Sequence, residues 1–110
     1  MAITVTTTGP QALLEAILKA VKERHVDTWE YRDGYFTHSP AQWRGLAFLK
    51  PSVSKNTLLL NIFHPQGRNI TSEIYAVYHG RFIEMLLAHF ERMFDSARAS
   101  ALASQGDVVK

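Results

Sequence analysis

The stretch TWEYRDGYFTH, residues 28–38, carries the strongest local structural signal in the chain. Two runs rich in aromatic and β-branched residues flank Asp33-Gly34, a pair that favours a two-residue hairpin turn because it tolerates positive φ at both turn positions. The turn sets a register, and alternate side chains then lie on opposite faces. The predicted register pairs Trp29 with His38, Glu30 with Thr37, Tyr31 with Phe36 and Arg32 with Tyr35. The face expected to meet the core, with the other largely in water, carries Trp29, Tyr31, Phe36 and His38.

An amphipathic helix is predicted before the hairpin. Apolar residues recur at helical spacing in residues 13–21, so we expect a helix from about Pro10 to His25. Thr8 is positioned to cap this helix, and Gln11 three residues later completes a capping box. The Thr-rich residues 1–8 are expected to form either a frayed leader or an edge strand.

Two more strands are predicted after the hairpin, separated from it by one helical turn at Ser39–Gln42. The strands are Trp43–Lys50 and Thr57–His64, with residues 51–56 as the loop between them. Pro51 is expected to end the first strand, because proline cannot donate to a central ladder. Both strands are apolar on both faces at their centres, so we expect both faces to be covered, by helices or by another subunit.

From Thr71 to Ala101 the chain has no proline and a single glycine, which predicts one long helix. Its apolar side chains spread over about 200° of the circumference, roughly twice the arc needed to dock on one core. The surplus predicts a homodimer formed through this helix. The candidate interface residues are Phe82, Leu86, His89, Phe90 and Met93. Residues 101–110 show no pattern and are expected to be a flexible tail.

Together these elements predict an α+β fold in a single domain, residues 1–110. The predicted order is α-β-β-β-β-α. A four-stranded antiparallel sheet is flanked by the N-terminal helix and the long C-terminal helix. The short connections between the strands allow sequential antiparallel pairing, and the sequence does not determine the strand order beyond the first hairpin.

The composition is that of a globular protein. Of the 110 residues, 46% are hydrophobic and 20% are charged, which excludes a disordered or collagen-like chain. Cysteine is absent, so disulfides, thiolate metal sites and cysteine nucleophiles are excluded. No apolar run is long enough to span a membrane and no secretory signal is visible, so we expect a cytoplasmic protein with no membrane partner. The net charge of +2 is dispersed along the chain, which argues against a nucleic-acid partner.

No motif of a known catalytic or cofactor site is present, so we expect no cofactor, and the spacing of the histidines indicates no metal site. The function expected is that of a non-catalytic dimeric module that binds or regulates a protein or small-molecule partner. The alternative is a small enzyme or ligand pocket that uses His79 with Tyr75 or Tyr78. His79 suggests this because it lies inside the apolar stripe, where its ring nitrogens need partners. The candidate ligand-binding residues are Tyr75, Tyr78, His79, His38 and Trp29.

Gly80 lies within the predicted long helix, where glycine costs about 1 kcal/mol relative to alanine. Either this cost is simply tolerated, or the missing side chain lets another backbone or a ligand approach beside His79 and Arg81. Arg81 and Glu84 lie on the polar side of the helix, and we expect them to form an ordinary surface ion pair.

A second alternative is binding of single-stranded nucleic acid to aromatic side chains of the sheet, on which bases would stack. Such a surface needs exposed rings beside cations. Cations near the predicted sheet are few, and Glu30 opposes them: they are Arg32, Arg44 and Lys50. The aromatic residues concerned, which we expect to belong to the core instead, are Trp29, Tyr31, Phe36 and Trp43.

Overall fold

The computed structural model describes residues 2–109, so Met1 and Lys110, the outer ends of the expected leader and tail, lie outside the described residues. The elements are β1 (Ala2–Thr6), α1 (Pro10–Lys22), β2 (Trp29–Arg32), β3 (Tyr35–His38), β4 (Phe48–Ser54), β5 (Thr57–Phe63), α2 (Ser72–His89) and β6 (Ser96–Ala99). The strands form one antiparallel sheet in the order β2-β3-β4-β5-β1-β6. The α+β class and the antiparallel sheet are confirmed. The predicted four strands and their α-β-β-β-β-α order are wrong, because residues 2–109 form six strands in the order β-α-β-β-β-β-α-β.

The hairpin of β2 and β3 has the register predicted from its turn, and all four predicted pairs are present. Asp33 and Gly34 take φ values of 55° and 89°, as a two-residue turn of this kind requires. Phe36 and His38 are buried on the expected face, whereas Tyr31 is exposed near the tip of the hairpin. β2, β3, β4 and β5 pair in sequential order, which the sequence allowed but did not determine beyond the first hairpin.

β1 lies between β5 and β6, so it is neither a frayed leader nor an edge strand. Ile3 pairs with Leu60 of β5 on one side and with Ala99 of β6 on the other. Ile3 and Val5 are fully buried. The sequence could not show this position, because one of the two neighbouring strands comes from the opposite end of the chain.

α1 begins at the predicted residue but ends at Lys22, before the predicted boundary. Arg24 takes a φ of 62° and turns the chain out of the helix. The predicted cap by Thr8 is not formed, because the N-cap residue is Gly9 and makes no side-chain capping bond. Instead, the Thr7 hydroxyl accepts a hydrogen bond from the Gly9 N–H at 3.1 Å, a local turn that competes with a helix cap.

β4 continues through Pro51, so the predictions that Pro51 ends a strand and that residues 51–56 form a loop are wrong. β3 pairs with β4 at one position only, Phe36 with Leu49. Beyond Leu49 the β3 side of β4 has no partner strand within residues 2–109, so a proline, which lacks an N–H, is tolerated there. Residues 43–47, predicted as strand, belong to the loop before β4. The turn from β4 to β5 includes Asn56, which takes a φ of 58°.

α2 begins where predicted, with Thr71 as N-cap accepting a hydrogen bond from the Ile74 N–H at 3.2 Å. It ends at His89, so the prediction of one helix through the region of β6 is wrong. After α2 the Thr7 hydroxyl donates to the carbonyl of Met93 at 2.7 Å, and β6 then pairs with β1. Strand pairing along β1 outweighs the local helical preference of the β6 residues. Neither α1 nor α2 is long and apolar enough to cross a membrane.

Both helices pack on one face of the sheet. By register, the fully buried strand residues all lie on that face and form a single core with the helices. Phe82, Leu86 and Phe90 of the predicted dimer interface are buried in this core, while His89 and Met93 are exposed. The apolar arc that suggested a dimer is therefore covered largely by the chain's own sheet, and the homodimer stays a prediction.

The C-terminal residues are attached beside β5. Asp107 Oδ1 accepts hydrogen bonds from Asn61 Nδ2 at 2.8 Å and from the Ile62 N–H at 3.0 Å. Val108 forms a parallel bridge with Phe63. Residues 101–109, expected to be a flexible tail, are thus connected to the sheet by both side-chain and backbone hydrogen bonds.

Among residues 2–109 no helix covers the opposite face of the sheet, which we call the open face. It carries half-buried apolar side chains that do not belong to the core, namely Tyr35, Phe48, Leu59 and Phe63. We expected helices or another subunit to cover both faces of the central strands. Within residues 2–109, helices cover only the face opposite the open face.

Candidate functional site

A cleft of about 540 Å³ lies between α2 and the segments that flank β2 and β3. One wall is formed by α2, and the other by residues 26–28 and 38–43. Trp43 and Met85 supply apolar surface. The polar lining residues are Asp27, Thr28, His38, Gln42, Arg81, Glu84 and His89. We call this site the histidine cleft.

His38 is fixed at the end of β3 by packing and by one hydrogen bond. Its ring lies 4.8 Å from the Trp29 ring and 6.1 Å from the Tyr78 ring, centroid to centroid. Its Nδ1 lies 2.8 Å from the carbonyl oxygen of Thr28. Because a carbonyl can only accept, Nδ1 carries the proton, and Nε2 of the neutral ring is left as a hydrogen-bond acceptor.

The surroundings of His38 favour the neutral ring. Burial lowers its pKa below the ordinary value of 6.5, and the nearby positive charge of Arg81 acts in the same direction. The hydrogen bond to Thr28 and the negative charge of Glu84 oppose this shift but do not cancel it. At neutral pH the cleft therefore contains an uncharged imidazole with an available lone pair.

Arg81 and Glu84 form the ion pair predicted on the polar side of α2, with Arg81 Nη1 lying 3.3 Å from Glu84 Oε1. More than half of each side chain is exposed, so water screens the attraction and the pair contributes little to stability. Both side chains can therefore reorient toward a ligand at small cost. They line the histidine cleft because the segment 38–43 lies across this side of α2.

Gly80 leaves the backbone of α2 exposed beside the cleft. Apart from its chain neighbours and the nearby backbone of α2, a Cβ placed on Gly80 would meet no atom of residues 2–109 within 4 Å, so no packing against other elements in this part of the chain requires the glycine. Gly80, Arg81 and Glu84 also line a shallow depression of about 340 Å³. The helix backbone is thus accessible from outside next to the two charged side chains.

Tyr78 joins α2 to the second wall of the cleft. Its hydroxyl donates to the carbonyl oxygen of Trp43 and lies 3.0 Å from the Thr37 hydroxyl. Burial raises the pKa of Tyr78, although hydrogen bonds to Thr37 and nearby carbonyls partly oppose the shift. The Tyr78 hydroxyl therefore has a structural role, because it fixes the second wall of the cleft. Trp29, whose ring centroid lies 5.7 Å from that of Tyr78, packs against the same wall.

The five predicted ligand-binding residues fall into two groups. His38 lines the histidine cleft, and its ring packs against Tyr78 and Trp29, which contact each other behind the cleft. Tyr75 and His79 form a separate pair with ring centroids 5.8 Å apart, and His79 Nδ1 lies 2.8 Å from the Tyr75 carbonyl oxygen of the same helix. His79 is almost fully buried, and neither residue lines the cleft.

Sequence reasoning missed Arg81, Glu84 and Gln42 as site residues. It assigned Arg81 and Glu84 to the side of the helix away from His79, which agrees with the structure, but it had no means of placing the 38–43 segment opposite them. The one available signal was His38 at a strand end, since such positions lie at the rim of a sheet.

In the part of the chain that the structure describes, no three side chains of metal-binding type come together. The cleft offers a hydrogen-bond acceptor, a cation and carboxylates. No protein-family model, curated protein or solved structure matches the chain. Function must therefore be inferred from the chemistry of the site.

Proposed function

We propose that this protein is a non-catalytic binding module that holds a small hydroxy acid or amino acid in the histidine cleft. The ligand bears a hydroxyl or amino group that donates to Nε2 of His38, and its carboxylate meets Arg81. The observation that carries the proposal is the orientation of His38, whose Nδ1–H is engaged by Thr28 while Nε2 stays available as an acceptor.

Binding suits this histidine better than proton transfer. A general base is most effective when a nearby carboxylate supports the protonated ring, but Nδ1 of His38 is bonded to a main-chain carbonyl. Burial and Arg81 also disfavour the charged ring. A neutral acceptor of fixed tautomer favours a ligand with a donor group, and it leaves an unpaired polar atom when that donor is missing.

The size and composition of the cleft support a small ligand. Its volume of about 540 Å³ lies within the range of small-molecule sites in proteins, roughly 300 to 1,000 Å³. Trp43 and Met85 provide the apolar surface that such sites combine with a few polar groups. One chain supplies every lining residue, so the proposal does not depend on the predicted homodimer.

Isothermal titration calorimetry with glycolate, L-malate, L-serine and L-glutamate tests the proposal. We expect saturable heat from at least one of these compounds. His38→Asn keeps an N–H donor for Thr28 but has no acceptor at the position of Nε2, and it should weaken binding about tenfold. Arg81→Gln should weaken binding of the same compound by a similar factor or more.

Arg92→Gln is the matched control, since Arg92 is an exposed cation beyond the end of α2 and outside the cleft. It should leave the affinity unchanged. Absence of heat from all four compounds, or an equal affinity in the parent and in His38→Asn, would contradict the proposed function.

A further inference from the structure

The open face carries a cluster of three aromatic rings. Tyr35 of β3 lies 6.1 Å from Phe48 of β4 and 5.5 Å from Phe63 of β5, measured between ring centroids. The three rings are half-buried, and the helix-side core does not include them. They are not the aromatics considered in the sequence, of which Trp29 and Phe36 are buried under the helices.

Cations border this cluster. Arg32 is the register partner of Tyr35 and its side chain is 80% exposed. Leu49 of β4 is the register partner of Phe36 of β3. In an antiparallel pair the next residue, Lys50, therefore lies beside Tyr35, on the side of β3 opposite to Arg32. Lys50 is exposed.

Two acidic groups at this surface are engaged with other groups. Glu30 pairs with Arg44 at 2.8 Å and also lies 3.9 Å from Arg32. Asp107, at the far border, accepts hydrogen bonds from Asn61 Nδ2 and from backbone amides. The exposed charge next to the rings is therefore mainly positive.

A concavity of about 950 Å³ extends from the rings around the β2 edge of the sheet. Tyr35, Phe48 and Arg44 line it on the open face, and Lys22 and Arg24 line it at the end of α1. Asp27 and Glu30 line the same concavity, but its four cations, Lys22, Arg24, Arg32 and Arg44, outnumber them. A path of mainly positive charge therefore continues from the aromatic cluster, which suits a phosphate backbone.

We propose that the open face binds single-stranded nucleic acid, with bases stacked on Tyr35, Phe48 and Phe63 and phosphates held by Arg32 and Lys50. Rings and cations side by side match a polyanion whose bases are planar. A second copy of the chain fits less well, because a two-fold contact between open faces would bring Arg32 and Lys50 close to their own copies.

Fluorescence anisotropy with labelled single strands of about 12 nucleotides, as DNA and as RNA, tests this proposal. We expect binding at low salt that weakens as salt rises, with a log–log slope near −2 if about three phosphates are neutralised. A duplex of the same sequence should bind more weakly, because its bases are already stacked.

Tyr35→Ala and Phe48→Ala should each lower the affinity about tenfold. Lys50→Gln should reduce the steepness of the salt dependence by about 0.7. The matched control is Lys19→Gln, an exposed cation on α1, which should leave both quantities unchanged. Lys50 is exposed, so Lys50→Gln tests the proposal even if Phe48→Ala fails to fold.

Three results would overturn the proposal. One is the absence of any anisotropy change at low salt. Another is an equal effect of Lys19→Gln and Lys50→Gln, which would indicate charge attraction without a defined site. The third is concentration-dependent dimerisation in analytical ultracentrifugation that Lys50→Gln strengthens, which would assign the open face to a second copy of this chain.

Discussion

His38 makes the stability of the protein depend on pH in the weakly acidic range. Burial and the charge of Arg81 hold its pKa below 6.5. As the pH falls below about 6.5, the unfolded chain takes up a proton at this residue before the folded chain does. The free energy of unfolding therefore decreases over that range, whereas at higher pH the ring is neutral in both states and has no such effect.

His38→Asn tests this dependence at the level of one residue. Asparagine keeps a donor for the Thr28 carbonyl and does not titrate, so we expect the variant to lose less stability between pH 7 and pH 5 than the parent. Urea unfolding at several pH values measures the difference. His25→Asn is the control, because His25 is exposed after α1, and it should retain the parent's pH dependence. Parallel curves for the parent and His38→Asn would show that another group titrates.

At the scale of elements, α2 and the 39–47 segment are joined through Tyr78. The segment contains no strand or helix, and its backbone is held by the Tyr78 hydroxyl at Trp43 and by the Thr37 hydroxyl at Ala47. The position of one wall of the histidine cleft thus depends on a few hydrogen bonds made by buried side chains.

Tyr78→Phe should lower the free energy of unfolding by about 1 to 3 kcal/mol, because the Trp43 carbonyl and the Thr37 hydroxyl lose a partner in a buried place. It should also speed amide hydrogen exchange in residues 39–47. Tyr75→Phe, one turn earlier on α2, is the matched control and should change stability by less than about 0.5 kcal/mol. Equal stability and exchange in the two variants would refute the role of the Tyr78 hydroxyl.

The features that could be predicted from the sequence are those determined by residues close together in the chain. The register of β2 and β3 follows from Asp33-Gly34, and the start of α2 follows from Thr71, because neighbouring residues determine a turn and a cap. The end of α2 depends instead on a distant partner. Ser96–Ala99 has little intrinsic preference for a strand and becomes one by pairing with β1.

The candidate site divides in the same way. His38 could be selected from the sequence because it ends a strand, and Arg81 and Glu84 could be placed on the polar side of a helix. Their approach to one another requires the path of residues 38–43 across α2, for which no local signal exists. The open face was missed for a related reason, since the sequence did not show that the two helices share one face.

At the scale of the whole molecule, both ends of the chain complete the sheet. β1 joins β5 to β6, and the segment after β6 returns to β5 through Asp107 and Val108. Contacts between residues so far apart in sequence fix the overall fold, and closing the long loops between them costs the chain conformational entropy. The Asp107 carboxylate is the charged group in this closure.

Asp107→Asn tests how far the carboxylate stabilises the folded chain. Burial acts to raise the pKa of Asp107, but its hydrogen bonds, which include those from Ser104, Asn61 and Ile62, outweigh burial and hold the pKa below 3.8. A lowered carboxyl pKa contributes stability above about pH 4, and this contribution is lost as the pH falls through the folded-state value. The substituted amide side chain would keep one acceptor oxygen but not the charge.

We therefore expect Asp107→Asn to cost about 1 kcal/mol at pH 7, a charged hydrogen bond discounted for partial exposure to solvent, with the difference shrinking toward pH 3. Urea unfolding of the parent and the variant across this range measures it. Asp33→Asn is the matched control, because asparagine suits a positive φ in a hairpin turn as well as aspartate does. A loss for Asp107→Asn that is the same at pH 3 and pH 7 would mean that the side chain acts through its shape, and that the C-terminal segment is held to β5 mainly by its backbone hydrogen bonds.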